Sequence, residues 1–579
     1  MLARRPAAFI LICVSIPVCS GLLVACSPNP FERDGGDYAR RIALERLRSI
    51  APATLDQYKT TTESHVTAPT AESLKARFEG PESRSISLEE ARASALANNL
   101  DLRVAIIEPA IAAQRVTEED ARFETAFTLR ANYIDSQAPT ASSLSSAEFK
   151  SFSVTPGVRY KTRTGGTLDI TLPSSRDETN NSFTFLNPAY ENDLVFSLSH
   201  PLLRGAGRRV NTAAIRIAGY EEQAAGSRAK LEVMRQLTNV DRAYWLLSQA
   251  RSELDVRQQQ LGLAQAQLDR SRRRVDAGAA SDIEVVRAEE GVAQRIEAII
   301  VAQNAVLLRQ REFKRVANMD GLSVESPTMV LPATPPDPVQ FEFDTPALIT
   351  HALDNRMELI ELELRLAADA AQQGVDRNAL LPLVNLTYSY RFNGLGDDVG
   401  TSLEEVYETR YPEWTLGIDA ELPWGNEAAR ARLRQTMLRR VADMATRDSR
   451  ELTIRQEVLN AIDQIDTTWQ RILAARQSVV ASTRTFQGEQ RQFEVGRATS
   501  TDVLDAATRL AEAQLAEARA LADYQIAQVD LAFATGTLLG ADKVSWDSVP
   551  APSIDQPDPA EELPARLTTP ADAPHHDTE

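Results

Sequence analysis

Cysteine is nearly absent from this chain. Its three copies, Cys13, Cys19 and Cys26, all lie near the N-terminus, so nothing beyond residue 26 can form a disulfide or a thiolate metal site. Histidine is as scarce, and His65, His200, His351, His575 and His576 show no metal-ligand spacing. No nucleophile elbow and no phosphate loop occurs either. The residues therefore point away from catalysis: no catalytic group, no cofactor and no metal is expected. Basic charge is also short, with 63 Lys and Arg against 81 Asp and Glu and a net charge of -18, which argues against nucleic acid as a partner. An aromatic content of 6% is low for a compact enzyme of 579 residues and suits long, regularly packed helices better. Past the first 25 residues, no run approaches the 18 or more apolar residues of a spanning helix, so any further membrane crossing is expected to use β-strands.

The N-terminus is rich where the rest is poor. Arg4 and Arg5 precede an apolar run from Ala7 to Ala25, broken by Pro17 and followed by small residues, the layout of a removable secretory signal over residues 1–25. Its end, Leu23-Val24-Ala25-Cys26, resembles the lipobox of bacterial lipoproteins. That resemblance implies that Cys26 becomes the first mature residue and carries acyl chains such as palmitate. Ser27, rather than an acid, follows the cysteine and by the same resemblance implies transfer to the outer membrane. Residues 26–85 read as a surface-running leader. Residues 546–579 are Pro-, Ala- and acid-rich with no apolar period and read as a disordered tail.

The strongest pattern is a duplicated seven-residue apolar repeat. Val233, Val240, Leu247, Leu254, Leu261, Leu268 and Val275 keep it in the first half, and Val458, Ile465, Ile472, Val479, Phe486 and Phe493 in the second. Such a seam stays on one face only if the helices supercoil, so each segment predicts coiled-coil packing. Both seams run into matching punctuation. The stretch from Asp276 to Val285 aligns with that from Glu494 to Val503, with Gly278 and Gly496 suited to end a helix, and with Ser281 and Thr499 or Ser500 suited to cap the next. Each half thus predicts a long helical hairpin, with ascending helices roughly 100 Å long at 1.5 Å per residue.

A second correspondence precedes each hairpin. Leu96 to Leu102 matches Leu353 to Leu359, and each leads through an Ala- and Gln-rich helix to an alternating segment, Phe127–Tyr133 and Leu386–Phe392. Returning strands follow at Leu194–Leu198 and Trp414–Ile418. The repeating unit reads as helix, strand pair, long hairpin. The first half carries an insertion of about 40 residues within 148–187, in which Ser153–Tyr160 and Thr167–Leu172 read as an added β-hairpin. Four strands cannot close a barrel alone, and an open sheet in lipid leaves its edges unsatisfied, so several copies are expected to close it together.

This duplicated order, with His200-Pro201-Leu202-Leu203-Arg204-Gly205 and Leu422-Pro423-Trp424-Gly425-Asn426 ending the two β regions, resembles the TolC family of outer-membrane efflux proteins. The most specific stretch is Phe493-Glu494-Val495-Gly496-Arg497 with Thr501-Asp502-Val503-Leu504-Asp505-Ala506. The resemblance implies a mainly α fold with membrane β: a trimeric outer-membrane β-barrel continued by an α-helical periplasmic tunnel. It divides the chain into a first repeat over 86–312 (strands 123–203, hairpin 208–312), an equatorial linker over 313–345 and a second repeat over 346–545 (strands 385–423, hairpin 427–540). It implies that Asp502 and Asp505 form carboxylate rings at a periplasmic gate, with Glu284 at the equivalent place on the outer hairpin. Gly278, Gly496, Val495 and Arg497 would lie at tips that dock a periplasmic adaptor (membrane fusion) protein serving an inner-membrane transporter. Ala498 stands where some relatives carry a basic lock residue. The implied function is a passive exit duct in tripartite efflux or type I secretion, lipid-anchored in the outer membrane. Drugs, metal ions, a glycolipid or a polypeptide would all fit such a duct. A self-standing porin and a structural periplasmic lipoprotein are the alternatives; the first calls for more strands, and the second leaves the strand pairs unexplained.

Overall fold

The computed structural model describes residues 82–140 and 146–541; the expected signal, Cys26, nearly all of the leader and the acidic tail lie outside them. The chain opens with β1 (Ser83–Ile86), then α1 (Leu88–Asn98), α2 (Leu100–Ala105) and α3 (Glu108–Ala121). Ser87 starts α1 with a capping box: its hydroxyl accepts from the Glu90 N–H while the Glu90 carboxylate accepts from the Ser87 N–H, both at 3.1 Å. Strands β2 (Ala126–Gln137), β3 (Glu148–Lys161), β4 (Thr167–Thr171), β5 (Ser174–Thr179) and β6 (Ala189–Pro201) follow. A short α4 (Arg208–Asn211) leads into the first long hairpin, α5 (Ala213–Asp276) and α6 (Asp282–Ala317). The linker holds β7 (Met329–Pro332), which pairs in parallel with β1. The second half then runs α7 (Thr345–Asn355), α8 (Met357–Asn378), β8 (Leu383–Gly396), α9 (Val399–Tyr407) and β9 (Tyr411–Glu421). It closes with the second hairpin, α10 (Glu427–Glu494) and α11 (Ser500–Ala534), and a final turn α12 (Leu538–Ala541). The first hairpin therefore reaches Ala317, five residues into the segment expected as linker, because Phe313, Val316 and Ala317 still pack into its core.

The heptad seams form the cores. Val240, Leu247, Leu254 and Leu261 of α5 pack with Ile299, Val306 and Phe313 of α6, and Val458, Ile465 and Ile472 of α10 pack with Tyr524 and Leu531 of α11. One expectation about apolar runs is corrected. Helix α6 contains an 18-residue window of mean hydropathy 1.2, long and apolar enough by composition to span a membrane. Its buried side is used against α5, while Ile300, Val301 and Leu308 stay exposed on the other.

The duplication reaches single hydrogen bonds. Asn99, in the break between α1 and α2, donates from Nδ2 to the Val316 carbonyl at 3.1 Å. Arg356, in the matching break between α7 and α8, donates from Nη1 to the Ala534 carbonyl, also at 3.1 Å. In each repeat a buried side chain from the front helix thus satisfies an orphan carbonyl at the end of the returning helix. The second clamp is charged: Arg356, 1% exposed, also meets Glu358 at 2.7 and 3.0 Å and Glu457 at 2.7 Å.

The sheet corrects the expected strand pair of the first half. Strand β2 pairs with β3, not with the returning β6, and the inserted residues lie inside the sheet between them. Both β4 and β5 pair with β3 on one side and β6 on the other, so they are two pieces of one strand interrupted near Pro173. The result is an antiparallel meander of six positions, β2, β3, β4/β5, β6, β8 and β9. Its register puts apolar residues on one face. Phe127 opposes Val158, which opposes Ile170, which opposes Phe196. Phe196 then opposes Tyr390, and Tyr390 opposes Trp414. The other face is polar: Arg159 meets Asp169, Ser197 meets Ser389, and Ser389 meets Thr415. This alternation is that of a membrane strand with a lipid side and a lumen side. At the end of the sheet near residue 396, α9 rests on the apolar side, where Gly394 and Gly396 leave room for it: a Cβ at Gly394 would fall 2.1 Å from the Ser402 carbonyl.

Candidate functional site: the hairpin tips

At the ends of the helical hairpins, the two turns share one geometry. Gly278 has φ 71° and Gly496 φ 76°, the left-handed conformation that lets a helix terminate without a Cβ clash. The Gly278 and Ala279 N–H groups donate back to Val275 and Arg274 carbonyls, and those of Gly496 and Arg497 to Phe493 and Gln492. The following helices start differently. Thr499 is the N-cap of α11: its hydroxyl accepts from the Asp502 N–H, and the Asp502 carboxylate accepts from the Thr499 N–H at 2.8 Å and its hydroxyl at 2.7 Å. Those bonds hold the Asp502 carboxyl below the ordinary carboxylate range, the side-chain bond contributing most. Ser281 is the N-cap of α6 but makes no side-chain capping bond, contrary to the expected symmetry.

The candidate gate residues fall as follows. Asp502 and Asp505 are both exposed, whereas Val503, Ala506 and Ala507 are buried. The spacing of three puts the two carboxylates on the side of α11 that turns away from its packing. Glu284 is half-buried, with one carboxylate oxygen, Oε2, in a buried position without a hydrogen-bond partner. Val495 is 70% exposed, and Gly278, Gly496 and Arg497 are exposed with it, so the two tips present their turns to solvent. Cys26 lies outside the described residues.

Contacts that hold one hairpin to the other were not read from the sequence. Gln267 on α5 donates to the Ser500 hydroxyl at 3.0 Å and Gln260 to the Ala507 carbonyl at 3.1 Å. Arg295 on α6 donates to the Thr508 hydroxyl at 2.6 Å, within electrostatic reach of Asp505 and Glu512. The Arg274 guanidinium lies 4.8 Å from the centre of the Phe493 ring, a cation–π contact between hairpins. Gly291 meets Leu504, and a Cβ there would approach the leucine to 3.3 Å. The available signal was that Gln260 and Gln267 repeat at seven, each one residue before a seam leucine. Among the described residues, no group of three or more His, Cys, Asp or Glu side chains is placed to hold a metal.

Comparison with known proteins agrees with this fold. The family model for outer membrane efflux protein matches residues 166–318 and 348–537, which include both hairpins. The outer membrane protein TolC of Salmonella enteritidis is 26% identical over 347 residues, covering 57% of this chain and 67% of that protein. The outer membrane efflux protein BepC of Brucella suis is 25% identical over 327 residues, covering 56% of this chain and 68% of that one. The matched part thus spans about two thirds of these relatives. Among solved structures, the CmeC outer membrane channel of Campylobacter jejuni superposes with a TM-score of 0.59 at 16% identity, over 84% of this chain and 93% of that one. The open state of the MtrE outer membrane channel of Neisseria gonorrhoeae gives 0.57 at 17% identity, over 78% and 89%. Long paired helices, a membrane-type sheet and these matches over more than half its length place the chain in the outer membrane efflux protein family.

Proposed function

We propose that three copies of this chain form an exit duct whose barrel sits in the outer membrane and whose helices extend through the periplasm, the tips being closed by the inner hairpins. In this reading Asp502 and Asp505 of each copy face the axis as two rings of carboxylates, which attract cations and repel anions at the mouth. Glu284 supports the closed tip from the outer hairpin, and Gly278, Val495, Gly496 and Arg497 meet a periplasmic adaptor coupled to an inner-membrane transporter. Cys26 anchors each copy in outer-membrane lipid. Conduction is passive, so the energy comes from the transporter.

The observation that carries the gate assignment is the exposure of both aspartates on one side of α11 beside buried Val503 and Ala506. The test is single-channel conductance in planar bilayers, comparing the wild type with an Asp502→Ala, Asp505→Ala double variant. A small, cation-selective conductance that rises or loses selectivity in the variant supports the assignment. An unchanged small conductance moves the gate elsewhere, and large open pores in the wild type favour a self-standing porin.

A further inference from the structure

The inserted strands carry an inference about the barrel itself. A sheet that contributed β2, β6, β8 and β9 alone would have four positions; this one has six, and the two added ones are as long as their neighbours. They are not an appendage. Twelve residue pairs join β2 to β3 without a break, and β4 and β5 together continue the ladder from β3 to β6. Over β3 and β4 the added strands keep the alternation of the sheet: Val154 and Val158 of β3 and Ile170 of β4 share the apolar face with Leu129, Phe127 and Phe196, while Ser153, Arg159 and Asp169 share the polar one; β5, polar on both faces, continues the ladder at the end of the sheet where α9 rests. A hairpin folded outside the bilayer would have no reason to hold a lipid face and a lumen face in register with four membrane strands.

The two ends of the sheet, β2 and β9, run in opposite directions because six is even. Every residue of β2 is exposed, as is nearly all of β9, and their outer rows include Phe127 at 85% and Ile418 at 67% exposure. An edge of that kind cannot stay open in lipid. Joining β2 of one copy to β9 of the next makes every seam antiparallel and closes the sheet.

The widths agree with such a closure. Strands about 4.8 Å apart and tilted by about 40° make six positions span roughly 38 Å of circumference. The four helices next to the sheet, α3, α5, α8 and α10, at about 8–10 Å between axes, span roughly 32–40 Å. Four strands at the same tilt would span only about 25 Å. Six strands at that tilt therefore match the arc of the four helices on which they stand.

We propose that the assembled barrel has eighteen strands, six from each of three copies, and that it continues the helical tunnel at about the same width, with a backbone diameter of about 36 Å. This rests on the threefold assembly proposed above, and the test separates the two. Single cysteines are placed on β3 (Ser153→Cys, Val154→Cys) and β4 (Thr171→Cys, Ile170→Cys), with β8 as the reference strand (Ser389→Cys, Tyr390→Cys). Each variant, and the wild type as background, is reconstituted in phospholipid vesicles and treated with a membrane-impermeant maleimide; the assembly is weighed by native mass spectrometry. The expected result is a trimer in which Ser153→Cys and Thr171→Cys react at least about tenfold faster than Val154→Cys and Ile170→Cys, as Ser389→Cys does relative to Tyr390→Cys. Equal labelling of both faces on β3 and β4, with alternation kept on β8, would put the added strands outside the bilayer and overturn the eighteen-stranded barrel while leaving the trimer standing. Alternation on all three strands in an assembly that is not trimeric would overturn the count through the stoichiometry instead.

Discussion

Replacing Arg356 by alanine tests how the inner hairpin is moored. The guanidinium is almost wholly buried, bonds Glu358 twice and Glu457 once, donates to the Ala534 carbonyl and lies 5.3 Å from the centre of the Phe533 ring. Burial alone would push the Glu358 carboxyl up, yet the bonds and charge of Arg356 outweigh it and hold that carboxyl below its ordinary range. Removing one partner of a buried pair costs about 3–5 kcal/mol. Arg450 still reaches Glu358 at 2.8 Å, which places the expected loss near the bottom of that range, at about 3 kcal/mol. That corresponds to about a hundredfold loss of protection. The assay is hydrogen exchange by mass spectrometry on peptides over the last two turns of α11, where the Ala534 carbonyl is left without its donor. Asn99→Ala, the equivalent change in the first repeat, removes a neutral bond to Val316 and the cap of α2. It should loosen the end of α6 by about 1–2 kcal/mol, roughly tenfold. Equal loosening in the two variants, or loosening at the Gly496 tip rather than at the base, would refute the argument that a charged clamp replaces a neutral one.

Thr499→Ala removes the hydroxyl, the larger of the two donors that hold the Asp502 carboxyl down, and leaves the backbone N–H, so the titration of that carboxylate, followed by NMR, should move part of the way up toward the ordinary value. Because the folded value is depressed, the stabilisation it gives the start of α11 is present above the ordinary carboxylate range and is lost as pH falls through the folded value. Asp369, largely buried in α8, shows the opposite sign: burial first, then the hydrogen bond and charge of Asp443, raise its carboxyl from 3.8 to about 6. Stability should therefore fall as pH rises between those values, and Asp369→Asn should raise the Tm above about pH 6 and leave it unchanged below about pH 4. A gain in Tm that persists at low pH would point to packing instead of charge.

How much was legible in advance differed by element. The hairpins were, because a seven-residue seam is a local pattern: Leu247, Leu254 and Ile465 must be covered wherever they are placed, and a glycine able to take positive φ marks where each helix turns. The candidate gate was legible only as residue type and spacing; that Asp502 spends its carboxylate on the Thr499 cap while remaining exposed took the coordinates to establish. The cross-contacts of Gln260, Gln267 and Arg295 were hidden because each partner lies more than two hundred residues away in the chain.

The sequence by itself determined the duplication, the long paired helices and the alternating strands, since periodicity is a property of short segments. Only the tertiary structure decided which strand pairs with which. Alternation tells that a segment has two faces, but it is silent about its neighbour, and β2 could be assigned to β6 or to β3 on composition alike. The register settled it, drawing the inserted residues into the sheet and making six positions where four were expected.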